Sequence, residues 1–365
     1  MDQALAELKI EALLHDPPGK VPTLWYRSHE RFSAELVEAV LGRPPRHEAL
    51  VRQADEYASA VDRTAIPRDP VEFRVDFLRA PTIVHPLSGT RYALAPLVDQ
   101  DPAGIEREQR AAVCDLASAA GAPSCAETLY WWLWRGLEGQ LASRGEVGRL
   151  WTYLPADTRI PDHSIWDHLR LTSAFAGALP RPALLVFSFG PVQTFIEAAR
   201  RTGDLWAGSF FLSWLAWRAM QPVVEAWGGD AVLFPDLHGQ PIVDGWLRQE
   251  RGWGEIPGLR KASTVASLPN RFLALLREDE AAGAAKMCES ALHAAAREFA
   301  ADCTAAFHRR HGTEGEAGPA SLQRAAQQAE RGIRCAWQVT PWIGSEPELR
   351  ALSTTHLGES VRRFW

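Results

Sequence analysis

A single run of seven residues, 183–189 (ALLVFSF), does most to limit what this chain can fold into. It is continuously apolar, has the length of a strand and lies between Pro180-Arg-Pro182 and Gly190-Pro191. Such a run reads as a strand in a sheet interior, and the prolines before it mark a boundary. Ahead of it the chain is helical. Leu5, Leu8, Ile10, Leu13 and Leu14 recur at helical spacing until Pro17, Pro18 and Gly19 stop them. Further helical patterns cover about 28–41, 47–61, 104–120, 124–143 and 164–179; 64–100 reads as extended and loop-rich, and 154–165 as a Pro- and Asp-rich loop. Behind the run, Gly190-Pro191 turns into a helix over 192–201, and a Trp-rich helix spans about 206–227. An Ala-rich helix (278–311), a flexible loop (314–319) and a helix (320–331) follow, with strand candidates at 231–235 and 334–343. Strand, helix and strand with long helical inserts predict an α+β fold divided into 1–180 and 181–365.

A length of 365 residues suits two domains, or three small ones. At 46% hydrophobic and 23% charged residues the chain buries a sizeable core, which excludes disorder as its main state. Its net charge of -6 excludes coating nucleic acid by bulk charge and leaves room for a local basic groove. Five cysteines without a CxxC pair argue against a zinc ribbon and a disulfide framework. The acidic start MDQALAELKIEALLHD lacks a signal-peptide pattern, and no run approaches the ~18 apolar residues of a membrane span. These features predict a soluble protein of a reducing, cytoplasmic compartment with no membrane partner.

Chemistry concentrates in the helical part. His15-Asp16 lies where the first helix ends, so an imidazole and a carboxylate can reach one divalent cation. Asp55 sits in a helix (QADEYASAVDR), His29 opens the helix before it, and Asp167-His168 lies near the start of another (SIWDHLRLTSAFAGAL). A metal phosphohydrolase needs several such N and O ligands, with open positions for an activated water and a phosphate oxygen.

LLHDPPGK resembles the signature of the HD metal-dependent phosphohydrolase superfamily, in which a lone His, an HD pair and a later Asp bind metal. Here the helix carrying the lone His, WDHLRLTSAFA, comes last, so the order looks circularly permuted. That arrangement is similar to the large subunit of type III CRISPR effector complexes, particularly the Cmr-type (III-B) form. ADEYASAVDR, HPLSG, LPADTRIPDHSIWDHLRLTSA, FSFGPVQTFIEAARRTGDLWAGSFFLSWL, LFPDLHGQPIVDGWL, SLPNRFLAL and VTPW carry the same resemblance in the same order. It implies an all-α permuted HD domain followed by a partial, ferredoxin-like palm domain with helical inserts. It also implies metal ligation by His15, Asp16, Asp55 and His168, His29 as a second-metal or phosphate-contacting residue, and Lys20 on the scissile phosphate. Asp62, Asp162 and His163 read as local pairings instead, and His47 and His85 as structural or surface residues.

The implied function is metal-dependent cleavage of single-stranded DNA within a crRNA-guided complex, with target RNA and other effector subunits as partners. The ion is a divalent metal such as Mn²⁺, Ni²⁺, Co²⁺ or Mg²⁺. In the family, paired palms bind ATP and make cyclic oligoadenylate, using a GGDD motif on the second palm. Here Gly228-Gly229-Asp230-Ala231 lacks the second Asp and reads as a helix-ending turn. The chain ends before a second palm, so cyclase activity is not expected of it alone. At most it supplies half of a nucleotide pocket around Gly190, Gln193 and Ser209, with ATP as candidate ligand. An assembly scaffold without catalysis is the alternative, and a stand-alone nucleotide phosphohydrolase a third reading. Phe195, Trp206, Trp214 and Trp217 read as core or interface, and Arg200 and Arg201 as residues able to track a single strand.

Overall fold

The computed structural model describes residues 1–62, 76–121, 125–145, 147–261, 264–312 and 319–343. Arg63, the expected partner of Asp62, and the loop 314–318 lie outside the described residues, as does part of the 64–100 stretch. The first part carries α1 (Gln3–Leu13), α2 (Lys20–Thr23), α3 (His29–Leu41), α4 (Glu48–Asp62), α5 (Pro102–Ala119), α6 (Ala126–Ala142) and α7 (Ile165–Ala178). Helix starts follow side-chain chemistry: Asp2, Ser28, Asp101 and Ser164 each accept a backbone N–H of the first turn of the helix they cap. Gly42 ends α3 at φ 65°, a left-handed position that favours glycine. The expectation of an all-α first part needs correction. Thr82–Val84 (β1) and Arg91–Ala93 (β2) pair as an antiparallel hairpin, because a turn closed by His85, Ser88 and Thr90 brings two short extended segments together.

The second part is built on a four-stranded antiparallel sheet of β3 (Pro182–Gly190), β4 (Val232–Phe234), β5 (Arg271–Arg277) and β6 (Arg334–Pro341), in the order β4-β5-β3-β6. Between the strands lie α8 (Gln193–Glu197), α9 (Thr202–Trp227), α10 (Pro241–Gln249), α11 (Glu278–His311) and α12 (Pro319–Gly332). The apolar run sits at the centre of the sheet, paired with β5 and β6. Ala183, Leu185, Phe187 and Phe189 are buried on one face, where α11 packs, and Phe187 stacks on its partner Phe272 at 5.1 Å. The opposite face is only partly covered: Leu184 packs with Phe175 of α7, whereas Val186 is 47% exposed. A continuously apolar strand therefore has one fully buried face.

Three expectations need correction. The helix after Gly190-Pro191 is a single turn, Gln193–Glu197, rather than 192–201. Asp204 accepts the backbone N–H groups of Arg200 and Arg201 and so opens the next helix at Thr202 instead of 206. Strand β5 and helix α10 were not expected at all. In β5, Leu and Ala favour helix as much as strand, and the segment runs straight into α11. Gly228 does end α9, at φ 94°, as the helix-ending reading of that turn requires.

One buried core runs from Ala6 of α1 to Ala296 of α11 and joins the two parts, with Trp131 of α6 edge-on to Trp134 and Trp246. Among the described residues, no helix is long and apolar enough to cross a membrane.

His238 gives this core a pH dependence. It packs edge-on against Trp134, 3.8 Å from Glu138, and faces Arg170, Arg135 and Arg260. Burial, reinforced by these cations, holds its pKa well below the ordinary value. The unfolded chain therefore takes up a proton below about pH 6.5 that the folded chain refuses, and stability falls as pH drops through that range. His238→Gln is expected to flatten the acid side of a plot of unfolding midpoint against pH. Equal acid slopes in the two proteins refute this.

Candidate metal centre

Four ligand-type side chains from two helices and one helix end meet at one point. His15 and Asp16 follow the C-terminus of α1, Asp55 projects from α4, and His168 from the first turns of α7, with α4 and α7 packed on α1. Buried polar contacts hold these elements in place. Glu11, one helical turn before His15, is buried and accepts from Arg43 Nη1 (2.7 Å) and from the backbone N–H groups of Arg46 and His47, fixing the α3–α4 connection against α1. Ser33 of α3 donates to Leu14 O at 2.6 Å. Gly19 donates its N–H to Gln109 of α5, and a Cβ there would stand 2.5 Å from the Gln109 amide, so the glycine of PPGK is needed for close approach.

Within the cluster, His15 Nε2 is 3.7 Å from both Asp16 Oδ2 and Asp55 Oδ1. His168 Nε2 is 3.2 Å from Asp55 Oδ1 and 3.8 Å from Asp16 Oδ2. The His15 and His168 ring centroids are 5.3 Å apart. His15 Nδ1 lies 2.7 Å from Ala12 O; a carbonyl only accepts, so Nδ1 carries the proton and Nε2 presents its lone pair to the carboxylates. That Nε2 is buried without a hydrogen-bond partner. An orphaned imidazole nitrogen converging with a second imidazole and two carboxylates is a donor set that a divalent cation fits.

Two further expected residues border this set. His29 Nε2 is 3.7 Å from Asp16 Oδ1, and Lys20 Nζ donates to Asp16 Oδ2 at 2.5 Å. Asp16 is only 4% exposed; burial pushes its carboxyl up, but the neighbouring His15, Lys20 and His168 outweigh that and leave it below the usual value. Burial raises Asp55 as well, and its contacts with His15 and His168 bring it far below the carboxylate range. For His29 burial dominates and lowers the pKa, which favours the neutral ring.

His15, Asp16, Asp55 and His29 line a cleft of about 640 Å³. A second cleft, of about 760 Å³, shares His29 with it and runs past Lys20, Trp25, Tyr26, Arg27 and Arg159. Trp25 and Tyr26 are more than half exposed. Asp167, adjacent to His168, points away and pairs with Arg170 at 2.6 Å. Asp162 and His163 pair with each other in the loop before α7. Sequence reasoning passed over Glu11, Ser33 and Gln109; only Glu11 left a signal, its place on α1 four residues before His15.

The nucleotide-site residues are not drawn together in the same way. Gly190 ends β3, Gln193 is exposed at the start of the one-turn α8, and Ser209 Oγ donates to Leu205 O within α9. No hydrogen bond among the described residues links the three. Trp217 is buried, whereas Phe195 and Trp206 are largely exposed.

Residues 184–301 match the family described as CRISPR-associated protein Cmr2, N-terminal. That span covers β3 to α11 and none of the His–Asp cluster. The chain is 42% identical over 128 residues to the CRISPR system Cmr subunit Cmr2 of Pyrococcus furiosus, covering 35% of this chain and 14% of that protein. It is 27% identical over 255 residues to the Cmr2 subunit of Saccharolobus solfataricus, covering 63% of this chain and 23% of the relative. In fold it resembles a chain of the type III-B Cmr-beta complex in its apo state, with a TM-score of 0.66 at 20% identity over 91% of this chain and 37% of that one. The same complex bound to cognate target RNA gives 0.63 at 19% identity, over 92% and 36%. The chain thus spans well under half the length of the proteins it matches. In sequence, then, the chain is similar to Cmr2 subunits over part of its length, and in fold it is similar to a chain of the Cmr-beta complex.

Proposed function

We propose that this chain is the N-terminal region of a Cmr-type large subunit and that its helical part is a permuted HD nuclease domain cutting single-stranded DNA. The observation that carries the reading is the convergence of His15, Asp16, Asp55 and His168 around the unpartnered Nε2 of His15. A divalent cation held by these four would supply an activated water and neutralise charge on the phosphate. The chain's own residues do the rest. Ala12 O locks the His15 tautomer, and Glu11 holds the helix bearing Asp55 in register. Lys20 neutralises Asp16 and borders the second cleft, where its ammonium would serve a phosphate oxygen as a point charge. His29, held neutral by burial, sits where the two clefts join and offers an N–H to the same phosphate. Trp25 and Tyr26 give successive bases a stacking surface along the second cleft.

We read the sheet part as the first palm domain: apart from α10, inserted between β4 and β5, a β-α-β-β-α-β order in one antiparallel sheet supports a ferredoxin-like arrangement. It would contribute part of a nucleotide site, while cyclic oligoadenylate synthesis would need a second palm. In this reading the chain works in the cytoplasm with crRNA, target RNA and further effector subunits, and guide pairing supplies specificity.

The test is single-stranded DNA cleavage by the purified chain with Mn²⁺, Ni²⁺, Co²⁺ or Mg²⁺, alone and with partner subunits and target RNA. Metal-dependent cleavage that disappears in His15→Ala/Asp16→Ala upholds the nuclease. Absence of cleavage under every condition, with assembly intact, establishes the scaffold instead.

A further inference from the structure

A second group of metal-ligand side chains converges among the described residues, far along the chain from the first. One ligand atom each from Glu289, His293 and Cys335 lies within 4.8 Å of the others. Glu289 and His293 are four residues apart on α11 and so share one helix face. Cys335 is the second residue of β6 and lies opposite Phe189 in the sheet register. Cross-strand partners share a face, and Phe189 is buried, so Cys335 is on the side of the sheet on which α11 packs. His293 Nδ1 is buried and has no hydrogen-bond partner. The Trp337 indole N–H reaches Glu289 Oε2 at 3.5 Å from two residues along β6.

We propose that Glu289, His293 and Cys335 form a second metal site, for a thiophilic divalent ion of the Zn²⁺ class, that clips α11 to β6. The donor set argues for that class: a thiolate, an imidazole and a carboxylate suit tetrahedral Zn²⁺ or Co²⁺, with water in the fourth position, and are poorly matched to Mg²⁺. The His15–Asp16 cluster contains no sulfur, so the two sites differ in ion preference. Cys335 would bind as the thiolate, so its proton would leave when the ion binds. The mechanical consequence follows from the topology. Among the described residues β6 is an edge strand, hydrogen-bonded only to β3, and it follows α12. A metal bridge to α11 would fix that strand independently of its single ladder.

Titrating metal-free full-length chain with Co²⁺ separates this site from the other, because only a cysteine ligand gives the near-ultraviolet thiolate-to-cobalt charge-transfer band. The band is expected in the unaltered chain and in His15→Ala/Asp16→Ala, and equally in Cys288→Ser, whose thiol is on the preceding residue of α11. It is expected to be lost in Cys335→Ser and in His293→Ala. Zn²⁺ should raise the unfolding temperature of His15→Ala/Asp16→Ala, but not once Cys335→Ser is added to that variant. No band in the unaltered chain overturns the proposal. So does a band that survives Cys335→Ser, since another cysteine would then be the ligand.

Discussion

Asp16→Ala is expected to abolish Mn²⁺ binding at the His–Asp cluster and bring single-stranded DNA cleavage down to the metal-free background. Asp16 is the hub of the cluster: its two oxygens face His15, His168, His29 and Lys20, at distances from 2.5 to 3.8 Å. Removing it leaves no carboxylate on the α1 side and only Asp55 to balance a dication. The informative contrast is Lys20→Ala. In the structure the ammonium occupies Asp16 Oδ2, so it competes with a cation for that oxygen while also being the candidate phosphate contact. Its removal should therefore leave metal binding intact or tighten it, and lower cleavage by about 10- to 100-fold, the usual cost of an outer-shell partner. Metal binding followed by electron paramagnetic resonance of Mn²⁺, next to cleavage of a labelled single strand, separates the two effects. If Asp16→Ala binds Mn²⁺ as well as the unaltered chain, the cluster is not the metal site. If Lys20→Ala loses metal binding and cleavage together, Lys20 supports the ligand set and does not act on phosphate.

What could be seen of this site in the sequence, and what could not, follows from how each residue is positioned. His15, Asp16 and Asp55 were visible through the LLHDPPGK and ADEYASAVDR phrases and the recurrence of ligand types along the helices, since a lone Asp or His is ordinary on a solvated surface. His168 was visible only through the motif around it, because Asp167 and His168 are neighbours and nothing local tells which one faces inward. The structure separates them by helical rotation: Asp167 faces Arg170 and His168 faces the cluster. The holding contacts were illegible, since Ser33 to Leu14 and Gln109 to Gly19 join residues 19 and 90 positions apart. In the fold, the central strand declared itself by continuous apolarity. Strand β5 did not, because FLALL reads equally well as the first turn of the helix that follows. The Glu289–His293–Cys335 group was equally hidden, as its cysteine has no paired CxxC and its other two ligands look like an ordinary helix surface.

The largest stability effect is expected at Lys9. Its side chain is 1% exposed, inside the core, and donates to Asp230 Oδ1 at 2.6 Å and to Ser173 O at 3.1 Å. Tyr130 OH donates to the same Asp230 oxygen at 2.8 Å. Burial opposes the charge on Lys9 and lowers its pKa, and Asp230 works against that shift; the Tyr130 hydroxyl is pushed far up by burial and by the same carboxylate. This network accounts for the sequence Gly228-Gly229-Asp230. A Cβ at Gly228 would stand 2.4 Å from Tyr130 OH, and one at Gly229 would stand 2.6 Å from the Trp134 ring. Two glycines let the turn press against α6, and the aspartate meets the lysine of α1; no catalytic metal is needed to explain the motif. Lys9→Ala leaves Asp230 buried and uncompensated, and a broken buried pair costs about 3–5 kcal/mol. Lys9→Met/Asp230→Leu removes both charges and should recover most of that loss, since a buried pair replaced by apolar groups is often near neutral. Tyr130 then has no acceptor, so Tyr130→Phe added to the pair should recover more. Urea unfolding midpoints read all three comparisons. If Lys9→Ala costs less than about 1 kcal/mol, water reaches Asp230 and the junction between α1 and the sheet part is looser than these distances imply.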